Sequence, residues 1–152
     1  MSHVYILSSD MQMPEFHGLE DFFIENSYYK RVSYPELDRF IKKEYYYSLG
    51  ISLNQLALLK FKQYLAKNMT PDSEIELWSL WLGGDTTKHY KTMPKVSNIS
   101  NVDLKDIEDL IDYYSENNFS PLIRKVNISE LTISDIAFID TQSGSCLIVH
   151  NS

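Results

Sequence analysis

Apolar positions change period several times along this chain, and each change marks a candidate element. His3 to Ser8 (HVYILS) is a short apolar, β-branched run closed by Ser9 and Asp10, the pattern of a largely buried strand. The stretch from Asp10 to Gly18 carries Pro14 and Gly18 and reads as loop. In LEDFFIEN (Leu19 to Asn26), Leu19, Phe22 and Phe23 stand at helical spacing and predict a short helix, with a strand as the alternative.

Two longer helices follow, each opened by a capping-box pair: Ser33 with Glu36, and Ser52 with Gln55. The first places Leu37, Phe40, Ile41 and Tyr45 on one side, Arg39, Lys42 and Lys43 on the other, and is predicted to stop near Gly50. The second is predicted from about Leu53 to Asn68, with Leu53, Leu56, Ala57, Leu59, Phe61, Tyr64 and Leu65 making an apolar face broad enough for a central packing element.

IELWSLWL (Ile75 to Leu82) is apolar on both alternating sides, as expected of an interior strand covered on both faces. Gly83, Gly84 and Asp85 close it, and the polar stretch Thr86 to Asn101 predicts a loop with an edge strand near Lys95 to Ile99. Helical periodicity returns over Val102 to Asn117 through Leu104, Ile107, Leu110, Ile111 and Tyr114. Leu122 to Ile128, Ile136 to Ile139 and Cys146 to Val149 read as strands, the last two joined as a hairpin around Gly144. The order strand, helices, strand, helix, strands predicts an α+β sandwich. Its antiparallel or mixed sheet would have about four or five strands, with helices mainly on one face and ferredoxin-like order as the nearest pattern.

Length changes this picture little: 152 residues without linker, low-complexity tract or repeat make residues 1–152 a single domain. No apolar run approaches a bilayer span and no secretory pattern opens the sequence, so a soluble cytoplasmic chain is expected, with no membrane partner. Cys146 stands alone in an apolar run and reads as a small packed hydrophobe.

Charge changes it more. Residues 1–27 hold five carboxylates and no Lys or Arg, residues 28–70 eight cations against three carboxylates, and residues 71–152 six against thirteen. The formal charge of -7 therefore conceals a basic centre between two acidic ends. On the helix expected at 102–117, Asp103, Asp106, Asp109, Asp112 and Glu116 recur at spacings of three and four, with Tyr113 beside them. Such a row is either the solvated face of an amphipathic helix or a docking site for a basic protein, where complementary charge speeds encounter.

Catalytic signatures are missing from the sequence. No metal-ligand spacing, phosphate-binding glycine pattern or nucleophile elbow occurs, so no catalytic, cofactor or metal residue is assigned and no cofactor is expected. His17, beside Gly18 and near Glu15, Glu20 and Asp21, is the best acid/base candidate among four histidines. With eleven tyrosines and two tryptophans in the chain, the composition points instead to a small protein-binding module, of inhibitor or immunity type, using an acidic, aromatic-rich surface. One alternative is a small-ligand or enzyme pocket near residues 83–101, with His89 and Tyr90 at the ligand. Another is single-stranded nucleic acid held by the basic, Tyr-rich segment 28–47, which the acidic whole disfavours.

Overall fold

The computed structural model describes residues 2–27, 35–82 and 121–152. In chain order these form β1 (Ser2–Ser9), β2 (Phe16–His17), β3 (Phe23–Asn26), α1 (Pro35–Phe40), β4 (Tyr45–Gly50), α2 (Gln55–Asn68) and β5 (Glu74–Leu82). After the undescribed residues come β6 (Leu122–Asn127), a 3-10 turn (Ile128–Glu130), α3 (Ile133–Thr141) and β7 (Ser145–His150). All seven described strands join one sheet in the order β2-β3-β4-β1-β5-β7-β6, antiparallel except for the parallel pair β6–β7. The α+β class and the mixed sheet stand; the expectation of four or five strands is corrected to seven among the described residues.

Two of the added strands come from segments whose apolar spacing resembled a helix. Leu19 to Phe22 is a hairpin turn between β2 and β3, with Glu20 and Asp21 in the left-handed region at φ 55° and 65°. Positive φ at both central residues matches the twist of paired strands, and Phe22 N–H to Leu19 C=O at 3.0 Å closes the turn. Phe22 and Ile24 then point into the core as strand neighbours do.

The helix expected to run from Ser33 to Gly50 ends at Phe40, and Tyr45 to Gly50 is β4. Tyr47 and Leu49 are buried while Tyr46 and Ser48 face the other way, a period of two that the coincidental 3-4-4 spacing had hidden. Gly50 is no helix cap. It lies opposite Phe23, where a Cβ would collide with the Asp21 carbonyl and the Phe23 ring.

α2 falls where its apolar periodicity placed it, but its N-cap is Asn54, whose Oδ1 accepts from the N–H groups of Leu56 at 2.9 Å and Ala57 at 3.0 Å. Ser52 serves the cap one step back, accepting from Asn54 N–H at 3.1 Å. Ile136 to Ile139 is helical rather than extended, so the closing hairpin gives way to a parallel β6–α3–β7 crossover. The Asp135 carboxylate fixes the start of α3 by accepting from Thr132 N–H at 2.9 Å and the Thr132 hydroxyl at 3.1 Å.

α2 and α3 cover one face of the sheet. There Phe61, Leu65, Ile136 and Ile139 pack on Leu7, Ile24, Leu49, Leu77 and Leu147, each worth roughly 1.5–3 kcal/mol of burial. On the other face, Leu37 and Ile41 of the α1 region cover Ile6, Trp78, Leu80 and Cys146. The described helices thus lie mainly, not wholly, on one side. Among the described residues no helix is long and apolar enough to cross a membrane.

Candidate recognition surface

Asp103, Asp106, Asp109, Asp112, Tyr113 and Glu116 lie outside the described residues, as do His89, Tyr90 and the rest of the 83–101 segment. Of the basic Tyr-rich segment, residues 28–34 are also outside. Tyr47 is buried and its hydroxyl accepts from Met13 N–H at 2.8 Å, whereas Tyr46 points to the opposite face and donates to the Ile41 carbonyl at 3.3 Å. Lys43 lies 3.0 Å from Asp10.

His17 is largely exposed with Nδ1 3.7 Å from Glu25 Oε1, a loose surface pair. His3 and His150 do not meet: His3 lies opposite Trp81 and His150 opposite Glu74, at the two ends of β5. Cys146 is buried, and loss of hydration, with Glu76 nearby, pushes its thiol well above the ordinary range, so it is held as the neutral thiol.

The described residues that do converge stand at the end of β1 and β5. Register pairs His3 with Trp81 and Tyr5 with Ser79, and alternation puts all four on the α3 side. The His3 and Trp81 rings stack with centroids 5.1 Å apart, and Tyr5 lies tilted 5.0 Å from His3. Beneath them His3 Nε2 is 2.5 Å from Ser79 Oγ. α3 supplies the rim, where the Tyr5 hydroxyl donates to Asp140 Oδ1 at 2.8 Å. Burial first, then this bond and the carboxylate charge, push the Tyr5 hydroxyl up to about 12, so it remains a donor across the ordinary pH range.

The His3–Ser79 contact has the reach of a base and nucleophile, but Ser79 is 0% exposed. A substrate atom has no approach to it, and the contact satisfies a buried hydroxyl. Trp81, by contrast, is 41% exposed although it continues the side of β5 on which Ile75 and Leu77 are fully buried. The expectation that this run is covered on both sides holds to Leu80 and fails at Trp81. Exposed tryptophan surface on the side of the sheet that also carries Tyr5 and Asp140 has the chemistry to attract a cation, through the ring quadrupole and the carboxylate.

Two open hollows accompany this platform. One, of about 500 Å³, lies between the Pro14–Gly18 segment and α2; the other, of about 450 Å³, is lined by Gln12, Met13, Asn26 and Tyr45 to Tyr47. Among the described residues no three His, Cys, Asp or Glu side chains gather as a metal site. Sequence reasoning passed over His3, Tyr5, Ser79, Trp81 and Asp140. The aromatic and polar residues two apart in HVY and SLW were a signal, but their juxtaposition required the β1–β5 register. No family model, curated protein or solved structure matches the chain.

Proposed function

We propose that this chain is a small protein-binding module of inhibitor or immunity type that holds a basic partner against His3, Tyr5 and Trp81. The observation that carries this reading is the 41% exposure of Trp81, stacked on His3 with the Tyr5–Asp140 pair at its edge. Exposed tryptophan and tyrosine held rigid by their own fold are the anchors that dominate tight interfaces. The formal charge of -7 supports a cationic partner, and in this proposal the row Asp103, Asp106, Asp109, Asp112 and Glu116, with Tyr113, adds attraction that speeds encounter. A cytoplasmic site of action belongs to the same proposal.

Affinity capture from native-host extract, with the full chain as bait, tests it. A basic protein should be retained by the wild type, and Trp81→Ala should weaken that retention by roughly tenfold or more. Combined reversal of Asp106, Asp109 and Asp112 to Lys should slow association chiefly. Both variants should keep the wild-type near-ultraviolet circular dichroism. Equal retention by all three baits would remove the reading.

A further inference from the structure

The outward side of α2 has a chemistry unlike the acidic whole. From Gln55 to Asn68 the helix carries Lys60, Lys62 and Lys67 and no Asp or Glu. Leu56 and Leu59 are 54% and 49% exposed, and Leu53, just before the helix, is 48% exposed. Leu56, Lys60, Gln63 and Lys67 follow one another at intervals of four, three and four, so they form one exposed ridge with leucine at its start and lysine further along. Lys60 and Lys67 form no ion pair with another described residue.

The lysine half of this ridge is one wall of the hollow of about 500 Å³, and the Pro14–Gly18 segment is the other. The opposing wall is anchored to the main core. The Phe16 ring lies 4.8 Å from Tyr64 and 6.1 Å from Phe61, and the Tyr64 hydroxyl donates to the Pro14 carbonyl. Gly18 leaves room for this seating, since a Cβ there would stand 2.8 Å from the Phe16 ring. His17 adds a nitrogen base at the rim, and Glu15 is the sole carboxylate among the lining residues.

We propose that this ridge and hollow are a second docking site, which takes an acidic amphipathic segment of a protein partner. Apolar side chains of that segment lie on Leu53, Leu56 and Leu59, and its carboxylates reach Lys60 and Lys67. Charge complementarity selects this occupant: on a carboxylate-free helix, two ammonium groups without an ion pair among the described residues adjoin an apolar strip. A flat anionic bilayer fits less well, because Lys62, the lysine that flanks the leucines, is turned to the Ser129 carbonyl at 3.5 Å, whereas Lys60 and Lys67 follow leucine along one ridge that borders a concavity. The site takes the opposite charge from the aromatic platform and does not depend on it.

Fluorescence anisotropy on the full chain provides the test. The probes are a labelled leucine-glutamate peptide of about four helical turns, its leucine-lysine counterpart, and vesicles of phosphatidylcholine and phosphatidylserine. The glutamate peptide should bind in a salt-dependent way and the lysine peptide should not. Lys60→Glu with Lys67→Glu should weaken binding by roughly tenfold or more, and Leu56→Ser with Leu59→Ser by a similar factor. Trp81→Ala should leave it unchanged, which separates this site from the platform. Equal binding of both peptides, or indifference to the lysine reversal, would overturn the proposal. So would binding to the vesicles alone, or self-association of the free chain that the leucine variant disperses.

Discussion

The two faces of the sheet are finished differently. Under α2 and α3, aromatic and aliphatic side chains from every major strand meet in one continuous cluster in which Phe61 stacks on Phe22 with centroids 4.5 Å apart. The face toward α1 has a smaller described cluster with a hydrogen-bonded group at its centre, whereas the buried Ser79 and its His3 partner stand at the edge of the first. In the smaller cluster the buried Trp78 indole N–H reaches Ser8 Oγ at 3.2 Å and Glu76 Oε1 at 3.3 Å, and the Ser8 hydroxyl donates to Glu76 at 2.8 Å. The contrast teaches that one strand pair serves two kinds of order. Packing volume dominates in the first cluster, while in the second a hydrogen-bonded triad ties the buried Trp78 indole of β5 to Ser8 of β1.

The sharpest way to break this comparison is a pair of truncations. Phe61→Ala should cost about 3–5 kcal/mol, because the ring is fully buried and its neighbours come from several elements. Leu80→Ala on the other face should cost about 2 kcal/mol, the low end for buried leucine. Urea unfolding measures both, and equal losses would erase the distinction between the faces.

Trp78→Phe sharpens it next. The substitution keeps a ring in place but removes the donor to Ser8 and Glu76, for an expected loss of about 1–2 kcal/mol by the same measurement. An unchanged midpoint would mean that the triad does not hold the indole.

A smaller effect is expected at the platform, where Tyr5→Phe deletes the bond to Asp140 and should cost about 1 kcal/mol at neutral pH. Because the folded state raises this hydroxyl from its ordinary 10.0 to about 12, its contribution is fully present below pH 10 and is lost as pH rises toward 12. The difference in stability between wild type and variant should therefore shrink over that alkaline interval, which pH-dependent unfolding will follow.

The smallest change belongs to the sheet's surface. The Lys125 ammonium, 2.6 Å from Glu74, is the main cause that holds this carboxyl below its ordinary 4.5. A depressed acid contributes stability above its unfolded pKa and loses it as pH falls through the folded value. Glu74→Gln should thus lower stability at neutral pH by less than about 1 kcal/mol, discounted for solvent exposure, and flatten the acid limb of the profile below pH 4.5. Acid unfolding curves identical to wild type would show that the pair adds nothing.

Much of the fold was legible where local pattern and tertiary context agree. HVYILS and IELWSLWL are β1 and β5, α2 follows its broad apolar face, and the strands read at Leu122 to Ile128 and Cys146 to Val149 are Leu122–Asn127 and Ser145–His150. Misreadings fell where one apolar spacing served two structures. Phe22 and Phe23 looked helical but flank a left-handed turn and a strand, and Tyr45, counted on a helix with Ile41, begins β4. Ile136 to Ile139 has β-rich residues, yet the Thr132–Asp135 cap that the structure shows starts a helix there. The acidic row on which the expected protein-binding site rested lies outside the described residues, so the proposed surface is built on other side chains.

By itself the sequence determined the α+β class, the long amphipathic α2, the central apolar strand and the burial of a lone cysteine, because periodicity and hydrophobicity act over neighbouring residues. Only the tertiary structure decided that Lys60 and Lys67 of α2 face a hollow, that Ser79 is sealed, and that His3, Tyr5, Trp81 and Asp140 share one surface. Those four residues are brought together by strand register and by a helix crossing, and both depend on energy summed over the whole sheet rather than on any local run.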